Sequence, residues 1–182
     1  MQHHFQDLID LFESTFFEQY KTRLVRGEDE PIYLPASEVC DFHQIVFAHG
    51  YYSSALHEIA HWCLAGEARR LLEDFGYWYL PDGRDEKQQK AFEDAEVKPQ
   101  AIEWGFCVAA NKRFNVSADN LNGAGSDTAA FKKRVYSQVQ VYLRDGFPLR
   151  AQQFIDELHR FYQTDKLNVH MFELDKELYT DV

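Results

Sequence analysis

The feature that most constrains this chain is a pair of histidines four residues apart, in the sequence HEIAH from His57 to His61. Residues four apart share one face of an α-helix, so both imidazoles can bind one metal ion. Glu58 lies about 100° round the helix from His57, within reach of the same site. The surrounding stretch, Ala55 to Ala65, is otherwise apolar except for the Cys63 thiol. A helix that is apolar on nearly all sides is normally buried, so its polar groups need partners.

The rest of the sequence predicts a helix-rich α+β fold. Helices are expected over about 5–25, 53–66, 67–74, 84–96, 99–114, 128–144 and 148–163, and strands over 44–47 and 77–80, with a short extended piece at 32–34. A strand directly before the motif helix predicts a short β-sheet beside it, in a zincin-like local arrangement. With 182 residues, 45% of them apolar, and no linker, we expect one domain over residues 1–182.

A third metal ligand is expected from the second nearly all-apolar stretch, which runs from Pro99 to Ala110. Glu103 is its only formal charge. Burying a carboxylate without a partner destabilises a protein by roughly several kcal/mol, because the charge loses its hydration. We therefore predict a metal site made by His57, His61 and Glu103, with Glu58 beside it.

Two alternatives to that ligand set stay open at this point. Glu103 could instead form a buried ion pair with an arginine, for which the candidates are Arg69, Arg70 and Arg113. The carboxylates of Glu93, Asp94 and Glu96 are weaker ligand candidates, since their segment is polar and solvation would explain them.

Composition narrows the partners and the compartment. The net charge of −11 argues against nucleic-acid binding, which needs a basic surface. No apolar run reaches the length of a membrane span, and the first residues lack the pattern of a signal peptide. Three widely spaced cysteines fit reduced thiols rather than a disulfide framework. We expect a cytoplasmic protein without nucleic-acid or membrane contacts.

The motif itself leaves two chemistries open. In zinc peptidases the glutamate of such a motif acts as the general base on metal-bound water, a role that Glu58 would take. Two histidines and a carboxylate can equally hold Fe(II), with open positions for dioxygen and a substrate. The spacing of the residues does not separate these cases.

A longer string of residues separates them. The run from His49 to Cys63, HGYYSSALHEIAHWC, and the later run from Lys98 to Trp104, KPQAIEW, together with the chain length, resemble the bacterial elongation factor P hydroxylase family. The resemblance extends over essentially the whole chain. It implies hydroxylation of the β-lysylated lysine of elongation factor P, which completes the modification of this translation factor.

The resemblance also implies the cofactors and the roles of the site residues. It indicates an O2-dependent oxygenase with a divalent metal, expected to be Fe(II), on His57, His61 and Glu103. With such a site, we expect Glu58 to act as an outer partner of the metal ligands or to orient the substrate amine, rather than as a hydrolytic base. Many iron hydroxylases carry a different histidine pattern on a β-sandwich, so the resemblance does not imply a 2-oxoglutarate requirement.

Three hypotheses follow from the sequence. The first is an iron-dependent protein-lysine hydroxylase, and the alternative is a zinc metallopeptidase with Glu58 as general base. The third is a binding module in which the metal has a structural role.

Overall fold

The computed structural model describes residues 3–76, 83–117 and 127–174. Within these ranges the elements are, in chain order, α1 (Phe5–Tyr20), β1 (Thr22–Arg26), β2 (Ile32–Leu34), β3 (His43–Phe47), α2 (Tyr52–Leu64), α3 (Glu86–Ala109), α4 (Thr128–Asp145) and α5 (Leu149–Tyr162). Short 3-10 helices cover Ala48–Gly50, Arg69–Leu71, Glu73–Gly76 and Val169–Met171. The helix-rich α+β class is thus confirmed, while the zincin-like arrangement stays a prediction.

The sheet has the order β1-β3-β2, with β3 parallel to β1 and antiparallel to β2. The strand β1 was not predicted, because the helical pattern of the first segment was expected to continue to about residue 25. The α-helix ends at Tyr20 instead, since Lys21 takes a left-handed conformation (φ 47°). Leu24 was counted in the helical pattern, but it fits a strand as well. Thr22 and Leu24 are both buried, two residues apart, as alternate residues of a strand are.

The motif helix α2 follows β3 as predicted, but its start differs in detail. We expected Ser53 or Ser54 to cap it, whereas Tyr51 occupies the cap position without a side-chain hydrogen bond. The Ser54 hydroxyl instead accepts a hydrogen bond from the Ala48 N–H (3.0 Å), which ties the helix to the turn that follows β3.

One face of α2 fixes the helix in the core. The fully buried Trp62 ring packs against Phe12 and Phe16 of α1, with ring centroids 5.0 and 4.9 Å away. Burying a side chain of this kind contributes about 1.5–3 kcal/mol. The buried Arg150 of α5 donates to the carbonyl of Cys63 (3.1 Å), which satisfies a group at the helix end that has no partner within the helix.

The longest helix, α3, replaces two predicted ones. We expected an exposed helix ending near Glu96 and a second helix starting at Pro99, the usual place for a proline. Pro99 instead lies inside a single helix of 24 residues. Asp85 caps its start, with reciprocal hydrogen bonds between Asp85 and Gln88.

Other predictions had mixed outcomes. The expected helix over 67–74 is two 3-10 helices, and the helices α4 and α5 lie within a residue of their predicted bounds. The predicted strand at 77–80 lies outside the described residues. In the described ranges, no helix combines the length and the apolar character needed to cross a membrane.

Candidate metal centre

The two histidines of the motif lie side by side on α2. Their rings meet edge to face, with centroids 4.7 Å apart. The Nε2 atoms of His57 and His61 are 3.1 Å apart, so both rings direct the same nitrogen at one point, as predicted from their spacing.

Two carboxylates of α3 reach these rings from the neighbouring helix. Glu96 and Glu103 are seven residues apart and therefore share one face of α3, two turns from each other. Going forward along α2 from His57 to His61, the contacts move backward along α3 from Glu103 to Glu96. The two helices thus run antiparallel along the site.

The carboxylates contact different atoms. Glu96 Oε1 lies 3.1 Å from His61 Nε2, and Glu96 Oε2 lies 3.5 Å from His57 Nε2. Glu103 Oε2 lies 2.8 Å from His57 Nδ1, on the other side of that ring. In the described part of the chain, the group whose donor atoms converge, all within 4.8 Å of one another, is His57, His61 and Glu96.

The sequence therefore predicted that Glu103 lies beside the histidines, but it ranked Glu96 only among the weaker ligand candidates. Glu96 was expected to be solvated, and this was wrong, because its side chain is only 4% exposed. A signal was available: in an unbroken helix the spacing of seven places Glu96 on the face of Glu103. Starting a new helix at Pro99 removed that relation. The expectation that Glu103 binds a metal stays a prediction.

The arginines offered as rival partners of Glu103 have other contacts. Arg69 donates to the carbonyl of Phe75 (2.9 Å) and Arg70 to that of Ala65 (2.8 Å). Glu103 accepts a hydrogen bond from His57. Its observed partner is therefore a histidine, rather than Arg69 or Arg70 as the ion-pair alternative proposed.

Charge is concentrated at the site. Burial disfavours the imidazolium of His57, but the adjacent Glu96 and the hydrogen bond that His57 donates to Glu103 outweigh it and raise the pKa of His57 to about 10. Burial likewise disfavours the charged form of Glu96, yet His61 and His57 lower its pKa to about 2. Burial raises the pKa of Glu58. The carboxylates thus favour a positive charge between the helices.

A buried amide holds Glu96 in position. Gln100, one turn further along α3, donates from Nε2 to Glu96 Oε2 (3.2 Å) and to the Ser117 carbonyl (2.6 Å). Its Oε1 accepts from the Ser117 N–H (3.0 Å). The carboxylate is therefore oriented by the segment that follows α3 as well as by the helix itself.

A cavity of about 730 Å³ opens beside the histidines. Its lining includes Glu58, His61 and Glu96 together with Asp74 and Phe75. Glu58 is thus next to the converging atoms but directed at the cavity, where it can contact a bound molecule.

The converging atoms suit a metal ion. Three ligand atoms at about 2.0–2.2 Å from one ion lie roughly 3.0–3.5 Å from each other. The two Nε2 atoms are 3.1 Å apart, and the two oxygens of Glu96 lie 3.1 Å from His61 Nε2 (Oε1) and 3.5 Å from His57 Nε2 (Oε2). Two imidazoles and one carboxylate are also a donor set that divalent transition metals accept.

Comparisons with known proteins extend these observations. A family model described as elongation factor P hydroxylase matches residues 11–172. The chain is also similar to the elongation factor P lysine hydroxylase of Haemophilus influenzae, with 54% identity over 175 residues, which is 96% of this chain and 98% of that protein. The matched region includes α2, α3 and the cavity between them.

Proposed function

The chain belongs to the elongation factor P hydroxylase family, and on that premise we propose that it hydroxylates a lysine side chain of elongation factor P at a metal centre held by His57, His61 and Glu96. The enzyme is accordingly an oxidoreductase. The observation that carries the proposed centre is the convergence of two Nε2 atoms and one carboxylate at the separations of metal ligands.

We propose Fe(II) as the metal and O2 as the co-substrate. Two histidines and a carboxylate with open positions are the set on which non-haem iron activates dioxygen. Zinc has no redox chemistry of its own, so membership of a hydroxylase family favours iron over the zinc peptidase.

The protein residues around the centre have distinct tasks in this proposal. The hydrogen bond between Glu103 and His57 Nδ1 selects the tautomer whose Nε2 is free to bind a metal, as outer partners of metal-bound histidines commonly do. Gln100 holds the carboxylate of Glu96. This assignment replaces Glu103 with Glu96 as the third ligand.

Glu58 is assigned to the substrate rather than to water. Its carboxylate lines the cavity next to His61, where it can orient a cationic amine. Replacing Glu58 by Gln should preserve metal binding and reduce hydroxylation. If the Glu58→Gln protein kept both the metal and the full rate, this role would be wrong.

The proposed substrate form is the β-lysylated lysine, a long flexible cation. A cavity with several carboxylates in its wall favours such a group over a neutral one. Because elongation factor P acts in translation, we expect the reaction in the cytoplasm.

Intact-mass analysis tests the function directly. Modified elongation factor P should gain the mass of one oxygen atom when incubated with the iron-loaded protein, O2 and a chemical reductant, and heavy-isotope dioxygen should label the product. His57→Ala should abolish the gain, and Asp41→Asn, which removes an exposed charge outside the cavity lining, should not. No mass gain with iron-loaded protein, or oxygen-independent cleavage of peptides by zinc-loaded protein, would overturn the proposal.

A further inference from the structure

Part of the cavity wall is a turn with unusual backbone geometry. Asp74 and Phe75 both have positive φ, 45° and 56°. This left-handed conformation costs a residue with a side chain roughly 1–2 kcal/mol, so the surrounding structure must hold the turn in place.

Tyr33 of β2 holds it. The backbone N–H of Tyr33 donates to Asp74 Oδ1 (2.8 Å), and the Tyr33 ring stacks on Phe75 with centroids 4.2 Å apart. The Tyr33 hydroxyl donates to the carbonyl of Arg70 (2.9 Å). Since β3 pairs with the other edge of β2, Asp74 occupies the edge of the sheet that faces the cavity.

These contacts use only one of the two carboxylate oxygens of Asp74 and do not require its negative charge. The Tyr33 N–H takes one of the two carboxylate oxygens, and an amide oxygen would accept the same bond. Asparagine also tolerates a left-handed φ nearly as well as aspartate. The turn therefore needs an acceptor at position 74 but not a negative charge.

One residue of the same lining, Ala95, carries a backbone acceptor that the helix leaves without its usual donor. Pro99 has no N–H, so the carbonyl of Ala95 cannot receive the hydrogen bond from residue 99 that an α-helix provides. Both Ala95 and Pro99 line the cavity. Two cationic residues, Arg69 and Lys98, also line this cavity. Arg69 donates to the Phe75 carbonyl, and the side chain of Lys98 is exposed.

We propose that Asp74 binds an ammonium group of the lysine side chain that enters this cavity. This rests on the proposed function. An ammonium group has three donors and no acceptor, which matches a lining that contains the carboxylates of Asp74 and Glu58. Asp74 is thus a residue for substrate specificity, apart from the proposed ligands.

Steady-state kinetics of Asp74→Asn test the proposal. At saturating metal and O2, KM for β-lysylated elongation factor P should rise about tenfold or more, as expected for loss of a charge-assisted hydrogen bond, while kcat stays within about twofold. Asp41→Asn removes the same charge from an exposed site and should leave both constants unchanged. A KM within twofold of the unsubstituted enzyme, or a fall in kcat alone, would overturn the assignment.

A second measurement needs no variant. A straight-chain alkylamine should inhibit the unsubstituted enzyme at a concentration about tenfold lower than the alcohol of the same length, and Asp74→Asn should lose this preference. Equal inhibition by the two compounds, or a preference that survives in Asp74→Asn, would overturn the assignment. If the unsubstituted enzyme does not hydroxylate elongation factor P, the proposed function fails first, and the inhibitor binding still reports on Asp74 when measured by calorimetry.

Discussion

Two positions on one helix contrast sharply in the way they use a carboxylate. Glu96 and Glu103 lie on the same face of α3, and both contact His57, yet Glu96 borders an open cavity while Glu103 lies in the apolar half of the helix. The Glu96 oxygens meet two Nε2 atoms, and the Glu103 oxygen meets one Nδ1.

This contrast shows how two glutamates on one face of a helix can have different roles, because they meet different atoms of the histidines. A carboxylate that meets converging nitrogens can bind an ion in their midst. A carboxylate hydrogen-bonded to the far nitrogen of a ring can only orient that ring and increase its basicity. We therefore propose Glu96 as ligand and Glu103 as the residue that positions His57.

The largest expected effect is that of Glu96→Ala. Loss of a ligand should weaken iron binding by more than the roughly 100-fold that loss of an outer partner can produce, and hydroxylation should disappear with it. Competition with a chelator measures the affinity. Asp94→Ala is the matched control, because Asp94 lies on the same helix and pairs with Arg134 at the surface.

A smaller loss of iron affinity is expected from Glu103→Gln. The amide can still accept the hydrogen bond from His57 Nδ1, so iron affinity should fall about 10–100-fold and hydroxylation should return at saturating iron. The opposite result would restore the prediction made from the sequence: if Glu103→Gln cannot be loaded with iron while Glu96→Gln can, Glu103 is the ligand.

The amide of Gln100 should contribute less to the metal site and more to the fold. Gln100→Leu leaves the Ser117 N–H without its acceptor, which should lower the free energy of unfolding by about 1–3 kcal/mol. Iron affinity should fall by no more than about tenfold, at the low end for an outer partner, because the two histidines keep Glu96 in place. Chemical denaturation and iron titration measure the two effects, and a loss of iron as large as that of Glu96→Ala would contradict this ranking.

The smallest effect on stability is expected at the proline that separates the two halves of the helix. Pro99→Ala restores the N–H for the Ala95 carbonyl and should raise the free energy of unfolding by about 1 kcal/mol, or roughly 2–4 °C in Tm. If the Ala95 carbonyl helps to bind an ammonium group, KM should rise in the same protein. A more stable variant with an unchanged KM would remove Ala95 from that role.

The sequence allowed the motif helix to be predicted because its signal is local. The spacing of His57 and His61 and the apolar residues around them are properties of one short helix, which can be recognised without knowing its neighbours. The strand β1 and the third ligand depended on where helices end, and those ends were set by Lys21 and by the tolerance of α3 for Pro99. The Asp74 turn could not be predicted, because its geometry depends on Tyr33, 41 residues away in sequence.

The hydrogen bonds of Gln100 have a consequence for how position 100 can evolve. Glutamate has nearly the same shape and is reached from glutamine by changing one base of the codon, but it cannot donate to Glu96 or to the Ser117 carbonyl. Lysine and arginine can donate but cannot accept from the Ser117 N–H. Natural selection at this position should therefore act on hydrogen-bond polarity rather than on size.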